Sequence, residues 1–258
     1  MGATAMTQTT PAHLEYVLRL GDAALIHGQR LSEWCGHAPV LEEDLALANM
    51  ALDFVGQARM LLSYAGTLEG KGRDEDALAF LRHEGQYRHP TLCELPNTDF
   101  AHTTIKGFLL GSFNLLMWSR LCGSSDKALA AIAAKSLKEA RYHAEHTGDW
   151  VIRLGDGTDE SHRRAQAALD ILWPYTNELF AANPTDDAAA AAGVGPAWSE
   201  LAGEWEAAVL PVLQQATLTV PARTPFQSYG KFGRHSEHLG HLLAVMQHLP
   251  RSFPGATW

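Results

Sequence analysis

Cysteine is scarce in this chain, and basic residues are outnumbered by acidic ones. The 258 residues include three cysteines, Cys35, Cys93 and Cys122, which have no metal-ligand spacing. Three distant cysteines provide neither a disulfide framework nor a zinc motif, so we expect a reducing, cytoplasmic location. Twenty Lys and Arg against 29 Asp and Glu give a net charge of −9. Nucleic-acid binders normally carry a basic face, and we expect none here.

Long apolar runs and alternating patterns are also missing. The most apolar stretch, residues 108–118, is interrupted by Gly111, Ser112 and Asn114. It is shorter than the roughly 20 residues that a membrane helix needs. The first residues lack the basic start and apolar region of a secretory signal, so we expect no membrane association. No run alternates with period two, which predicts almost no sheet.

Helical periodicity fills the chain instead. Apolar spacings of three and four, with glycine stops, predict helices at 13–35, 41–68, 75–84, 101–121, 127–154, 160–182, 197–217 and 234–249. Four of them have lengths of about 30–40 Å, and such helices bury their apolar stripes best against one another. We therefore predict an all-α helical bundle with a single domain over 1–258, in which 1–12 is disordered and 183–196 is a mobile loop.

Three of the long helices carry an acid on or beside the stripe that we expect to face inward. These acids are Asp22, Asp53 and Glu139, and the stripe predicted beside Asp53 consists of Leu45, Asn49, Leu52 and Gly56. One inward acid per helix is the layout of di-iron carboxylate proteins, in which two helices also supply a Glu-x-x-His pair. Residues i and i+3 share one helix face, so a carboxylate and an imidazole reach the same metal.

The ligand pattern of a di-iron centre fails on two of these helices. The residue three positions after Asp53 is Gly56, which has no side chain to bind a metal. Gly111 occupies the position at which the helix predicted at 101–121 would supply a carboxylate. Neither helix therefore provides its expected ligands.

The helix predicted at 127–154 fails in a different way. The residue three positions after Glu139 is Tyr142, and His143 comes one residue late. One residue rotates a side chain by about 100° around the helix. The alternative function, a di-iron carboxylate oxygenase with its own metal site, would need a local π-bulge that brings His143 or His146 into register.

We therefore expect no catalytic residue and no metal ligand in this chain. The acids are interpreted as remnants that hydrogen bonds or cations hold in place, because an unpaired buried carboxylate is costly. The candidate cations are Arg59, Lys106 and Lys135.

A second polar cluster precedes the last predicted helix. Lys231, Arg234, His235 and His238 form a compact, partly basic group. This pattern is typical of a solvated helix N-terminus. The other interpretation is a contact with a partner subunit, or with substrate phosphates through that partner.

Four runs of sequence carry a family resemblance. They are LRLGDAALIHGQRLSEWCGHAPVLEEDLALANMALDFVGQAR (18–59), SLKEARYHAEHTGDWVIRLGDGTDES (136–161), LWPYTNELF (172–180) and GRHSEHLGHLLAVMQHL (233–249). Together they resemble the C subunit of the bacterial phenylacetyl-CoA epoxidases, which are multicomponent monooxygenases of phenylacetate catabolism. The similarity extends from about residue 14 to residue 258.

The resemblance implies a ferritin-like bundle in an NADPH- and O2-dependent complex that forms an epoxide on the ring of an aromatic CoA thioester. It further implies that a related, catalytic A subunit holds the di-iron centre and binds the substrate. Electrons reach that centre through a reductase with flavin and an iron–sulfur cluster. The C subunit is then a structural protein without a cofactor. Its partners would be the catalytic A subunit together with other epoxidase subunits, and alone it would form a homodimer or aggregate.

Overall fold

Twelve α-helices account for most of residues 11–256, which are the residues that the computed structural model describes. In chain order they are α1 (Pro11–Ser32), α2 (Leu41–Glu69), α3 (Glu75–Phe80), α4 (Thr91–Glu94), α5 (Phe100–Leu121), α6 (Lys127–Gly155), α7 (Asp159–Leu172), α8 (Asn177–Phe180), α9 (Pro184–Ala191), α10 (Ala202–Gln215), α11 (Glu237–Met246) and α12 (His248–Ser252). Single 3₁₀ turns lie at Glu84–Gln86, Trp173–Thr176, Trp198–Leu201 and Gly230–Phe232. Within 11–256 there is no β-strand, only one isolated bridge between Tyr229 and Arg234.

Four helices of 22 to 29 residues form a bundle, as predicted. Helix α1 packs along α2, α5 packs along α6, and α2 also contacts α6. The shorter helices cover this bundle, with α9 against α1 and both α7 and α10 against α5 and α6. The prediction of an all-α helical bundle is confirmed.

Helix α5 lies at the centre of the bundle, and every residue from 101 to 113 is buried. Two glycines allow α6 to approach it closely. A Cβ at Gly107 would lie 3.1 Å from Cγ2 of Thr147, and one at Gly111 would lie 3.4 Å from Cα of Ala144. Small residues at a helix crossing bring the two backbones together, so these glycines have a packing role.

The inward face of α2 differs from the predicted stripe. Leu45 and Leu52 are 55% and 68% exposed, and Asn49 is exposed as well. The buried face consists of Leu47, Met50, Ala51, Phe54, Gln57, Ala58, Leu61, Leu62, Ala65 and Gly66. Because leucines lie on both faces of this helix, periodicity alone gave the wrong face.

In the described part of the chain, α2 alone is long and apolar enough to cross a membrane, and half of its most apolar window is buried in the bundle.

The segment 183–196 is not a loop throughout, because it contains α9. Asn183 caps this helix by accepting a hydrogen bond from the backbone N–H of Thr185, and Pro184 is its first residue. Asp186 and Ala189 are buried. Alanine has the highest helix propensity of any residue. Five consecutive alanines therefore outweigh the unfavourable helix propensity of the flanking Pro and Gly. Of the segment predicted to be disordered, 1–10 lies outside the described residues, while 11–12 begins α1.

Helix boundaries near prolines and capping residues also differ from the predictions. The helix predicted over 160–182 is divided into α7, a 3₁₀ turn that contains Pro174, and α8. Proline has no N–H to continue the helical hydrogen bonds, which explains the division. The helix predicted over 234–249 begins later, at Glu237, and is followed by the separate α12.

Candidate functional site

Asp22 is fully buried on α1, and both of its carboxylate oxygens are hydrogen bonded. Arg82 donates from Nη1 to Oδ2 at 3.0 Å and from Nη2 to Oδ1. The backbone N–H of Arg88 donates to Oδ2 at 2.9 Å. Burial lowers the pKa of the Arg82 guanidinium. The charge of Asp22 and its hydrogen bonds together have the greater effect, so the pKa is raised above its ordinary value. Asp22 therefore serves as the counter-ion of a buried arginine.

Asp53 and Glu139 lie at the contact between α2 and α6, and each is hydrogen bonded to the opposite helix. Nε2 of His143 lies 2.9 Å from Oδ2 of Asp53, and Gln57 donates from Nε2 to Oε2 of Glu139 at 2.9 Å. Burial lowers the pKa of His143 below its ordinary value despite the nearby Asp53 carboxylate. A neutral His143 therefore donates to Asp53, and the two pairs connect the helices.

The predicted cations do not hold these acids. Arg59 is exposed and forms a salt bridge with Glu75, with its Nε 3.2 Å from Oε1. Lys106 is fully buried and donates from Nζ to the backbone oxygen of Leu95 at 2.5 Å. Lys135 is exposed. The prediction that the acids are held by hydrogen bonds or a cation agrees with the structure, but the proposed partners were wrong.

An aromatic side chain fills the bundle interior between the helices that carry the acids. Phe54 is 3% exposed, and its ring centroid lies 4.8 Å from the ring centroids of both His27 and His143. The cavity that these three side chains line has a volume of only about 10 Å³. Burial lowers the pKa of His27 well below its ordinary value, so its imidazole is neutral. A space of this size is at the lower limit for one water molecule, far too small for a metal pair.

The remaining positions of the di-iron pattern provide no ligand. A Cβ at Gly111 would lie 3.4 Å from the backbone N and Cα of Ala144, so a side chain at this position would meet the backbone of α6. A Cβ at Gly56 would face open space. Tyr142 is 47% exposed, and its ring lies 5.4 Å from that of His146. The residues present do not fit a di-iron centre.

The π-bulge that the alternative interpretation requires is not found in α6. This helix is α-helical at every position from 127 to 155. His146 lies with its Nε2 2.9 Å from Oε2 of Glu43, while His143 faces Asp53. Each histidine therefore pairs with a different acid of α2, and the two do not converge on one position.

Of the second predicted cluster, Lys231 lies entirely inside the protein. Its Nζ lies 3.1 Å from Oδ2 of Asp186 and donates to the backbone oxygen of Ala181 at 3.0 Å. Arg19 forms a second salt bridge with Asp186. Lys231 therefore anchors α9 to the segment before α11, and its ammonium is not accessible to a partner.

The other members of that cluster divide into one internal and two outer side chains. His235 has a fully buried side chain that lies against Glu94. Arg234 is exposed, with its guanidinium 5.2 Å from the ring centroid of Tyr229, and His238 is partly exposed. For Arg234 and His238, contact with a partner subunit stays a prediction.

Sequence reasoning missed a buried acid that holds the C-terminal part of the chain in place. Glu178 is fully buried and accepts hydrogen bonds from the backbone N–H groups of Thr91 and Lys231 and from Oγ of Ser228. Thr91 lies far from the other two donors in the sequence, and all three are distant from Glu178. The available signal was an acid directly before the apolar pair Leu179 and Phe180.

Comparison with known proteins agrees with the resemblance seen in the sequence. Residues 2–258 match the family described as "Phenylacetic acid catabolic protein". The chain is 48% identical over 243 residues to the C subunit of the 1,2-phenylacetyl-CoA epoxidase of Escherichia coli (strain K12), and the match covers 94% of this chain and 98% of that protein. The fold is accordingly an all-α, ferritin-like helical bundle. This chain belongs to the phenylacetic acid catabolic protein family.

Proposed function

We propose that this chain is a non-catalytic, structural subunit of a cytoplasmic 1,2-phenylacetyl-CoA epoxidase, in which it binds and stabilises the catalytic subunit. The observation that carries the proposal is the packing of Phe54 between His27 and His143, which fills the interior beside the pair formed by His143 and Asp53. The similarity to the Escherichia coli C subunit supports membership of such a complex.

Cofactors in this proposal belong to the complex and not to this chain. The di-iron centre lies on the catalytic A subunit, whereas NADPH, flavin and an iron–sulfur cluster belong to the reductase. The contribution of this chain is to hold the catalytic subunit in its active conformation. A permanent partner of this kind is expected to bury about 2,000 Å² or more, largely apolar.

An unpartnered apolar stripe on α2 supports a protein partner. Leu41, Leu45 and Leu52 are 69%, 55% and 68% exposed, and their spacing places them along one side of the helix. Monomeric proteins rarely leave such a stripe in contact with water. We propose that this stripe contributes to the interface with the catalytic subunit, and to a homodimer when the chain is alone.

The first experiment separates a structural role from a catalytic one. The full chain is co-expressed with its catalytic subunit, and phenylacetyl-CoA-dependent NADPH oxidation is measured for the purified complex. A variant with Asp53→Asn and Glu139→Gln is compared with Glu145→Gln, an exposed residue of α6. We expect assembly and turnover to be unchanged in both variants. A loss of turnover of about 100-fold or more with intact assembly, typical of a lost acid–base group, would contradict the proposal.

The second experiment tests the interface. Leu52→Glu places a charge on the exposed stripe, and Leu81→Glu is the matched control, because Leu81 is 54% exposed and lies outside α2. We expect Leu52→Glu to weaken co-purification of the catalytic subunit, whereas Leu81→Glu should leave it unchanged. Full activity of the catalytic subunit without this chain would refute the structural role.

A further inference from the structure

Three potential metal ligands converge where the segment before α11 crosses α4. Nε2 of His89 and Nδ1 of His235 each lie 2.8 Å from the same oxygen, Oε2 of Glu94. All three ligand atoms lie within 4.8 Å of one another, and the three side chains are fully buried. Within residues 11–256 this is the one group of three or more His, Cys, Asp or Glu side chains with such spacing.

Outer contacts orient two of these ligands. Nε2 of His235 lies 3.1 Å from the backbone oxygen of Tyr87, and the backbone N–H of Ser236 donates to Oε1 of Glu94 at 2.6 Å. Imidazoles that bind metals almost always donate their second N–H to a carbonyl or carboxylate, which fixes the ring. His235 therefore presents Nδ1, and Glu94 presents Oε2, toward the centre of the group.

His89 is able to present Nε2 to a cation. Its ring stacks on that of His235, with centroids 4.5 Å apart and planes inclined by 24°. Its Nδ1 is buried and has no hydrogen-bond partner among the described residues. Because no group outside the cluster fixes the tautomer, the proton can reside on Nδ1. That tautomer turns the Nε2 lone pair toward the Glu94 carboxylate, an arrangement that a cation between them would stabilise.

The surrounding charges leave the carboxylate of Glu94 available. Arg30 donates from Nε to the backbone oxygen of Glu94 at 2.7 Å, not to the carboxylate, and its Nη1 lies 2.7 Å from Oε2 of Glu33. Arg82 is paired with Asp22. Both arginines therefore have anionic partners of their own, and among residues 11–256 the Glu94 carboxylate is hydrogen bonded to the two imidazoles and the backbone N–H of Ser236.

We propose that His89, Glu94 and His235 form a binding site for one divalent metal ion of the zinc class. Two imidazole nitrogens and one carboxylate oxygen are a donor set of three-ligand zinc sites, in which the distances from metal to nitrogen are about 2.0–2.1 Å and a water completes the tetrahedron. The site is separate from the degenerate di-iron positions and does not rest on the proposed function.

Metal binding at this site releases a proton. Metal ligands bind in their deprotonated form, so the ion displaces a proton from the contacts that join the two histidines to Glu94. The bound ion ties the segment 87–94 to the start of α11, so its effect is structural and raises the stability of the folded chain.

The test uses the full chain, freed of metal with EDTA, and titrates it with Zn²⁺ and with Co²⁺ as a spectroscopic probe. We expect about one ion per chain, with the intense visible bands of tetrahedral Co²⁺. At a free Zn²⁺ concentration about 100-fold above Kd, Tm should rise by about 5–10 °C. Less than about 0.1 ion per chain, or only the weak bands of an octahedral ion, would overturn the proposal.

Two histidine variants show which residues bind the ion. His235→Gln should abolish the tetrahedral Co²⁺ bands, whereas His238→Gln, a partly exposed histidine of the same segment, should retain them. Equal binding by the two variants would assign the ion to surface histidines and overturn the proposal. If His235→Gln does not fold, the stoichiometry, spectrum and Tm shift of the wild-type chain decide the question.

Discussion

Replacement of Lys106 by methionine is expected to stabilise the chain at neutral pH, by an amount that decreases as the pH rises. The Lys106 ammonium is fully buried on α5, and no carboxylate of the described residues forms a salt bridge with it. Burial, with a further contribution from the charge of Arg30, lowers the pKa of Lys106 to about 7. The folded chain therefore loses this proton far below the pH at which an unfolded lysine does.

The magnitude follows from the difference between the folded and unfolded pKa. Between pH 7 and the unfolded pKa of about 10.4, the unfolded chain binds more protons, so stability rises with pH. For a folded pKa of about 7, the free-energy penalty is about 4 kcal/mol at pH 7 and about 2 kcal/mol at pH 9. Methionine is similar in length and carries no charge. Loss of the hydrogen bond to the backbone oxygen of Leu95 costs about 1–3 kcal/mol. Lys106→Met should therefore raise the free energy of unfolding by about 1–3 kcal/mol at pH 7. At pH 9 this increase should be about 2 kcal/mol smaller.

Urea unfolding at pH 7, 8 and 9, followed by tryptophan fluorescence, measures this difference. Lys138→Met is the matched control, because Lys138 is exposed on α6 and should show no such pH dependence. A difference between Lys106→Met and wild type that is constant with pH would refute the reasoning. It would mean that the Lys106 ammonium remains charged in the core.

Three further substitutions test the packing of the interior. Arg82→Met leaves Asp22 buried without its counter-ion and should lower the free energy of urea unfolding by about 3–5 kcal/mol, and a loss below about 1 kcal/mol would contradict the pairing. Phe54→Ala should lower the free energy of urea unfolding by about 3–5 kcal/mol, and the variant should bind no additional iron. Iron uptake by this variant would show that the aromatic ring alone excludes a metal pair. Gly111→Glu, which restores a carboxylate at the position facing Ala144, should lower Tm because α5 and α6 must separate, and an unchanged Tm would contradict the close approach.

Parts of the fold could be predicted from periodicity because the two faces of a helix differ. On α6, Leu129, Ser136 and His143 share one face by helical spacing and are buried, while the opposite face is charged. On α2, leucines lie on both sides, and the stripe with Leu45 and Leu52 faces outward. Periodicity detects a helix in both cases, but it identifies the buried face only where one face is polar.

The ligand defects of the candidate site could be predicted because they depend only on residue identity and helical spacing. The partners of the acids could not. Asp22 is paired with Arg82, 60 positions further along the chain, and Glu178 with donors from two distant segments, around Thr91 and at 228–231. Such pairs depend on how distant elements pack, which a single sequence does not specify. The same limit explains why Lys231 was placed at the surface and lies inside.

The most direct test of the account is the iron content and iron spectrum of this chain, purified alone after growth with excess ferrous iron. The account predicts that fewer than about 0.1 of the chains carry an antiferromagnetically coupled iron pair, and that Asp53→Asn leaves the iron content unchanged. About two irons per chain with a coupled Mössbauer spectrum, lost in Asp53→Asn or Glu139→Gln, would contradict it. The chain would then hold a di-iron centre of its own.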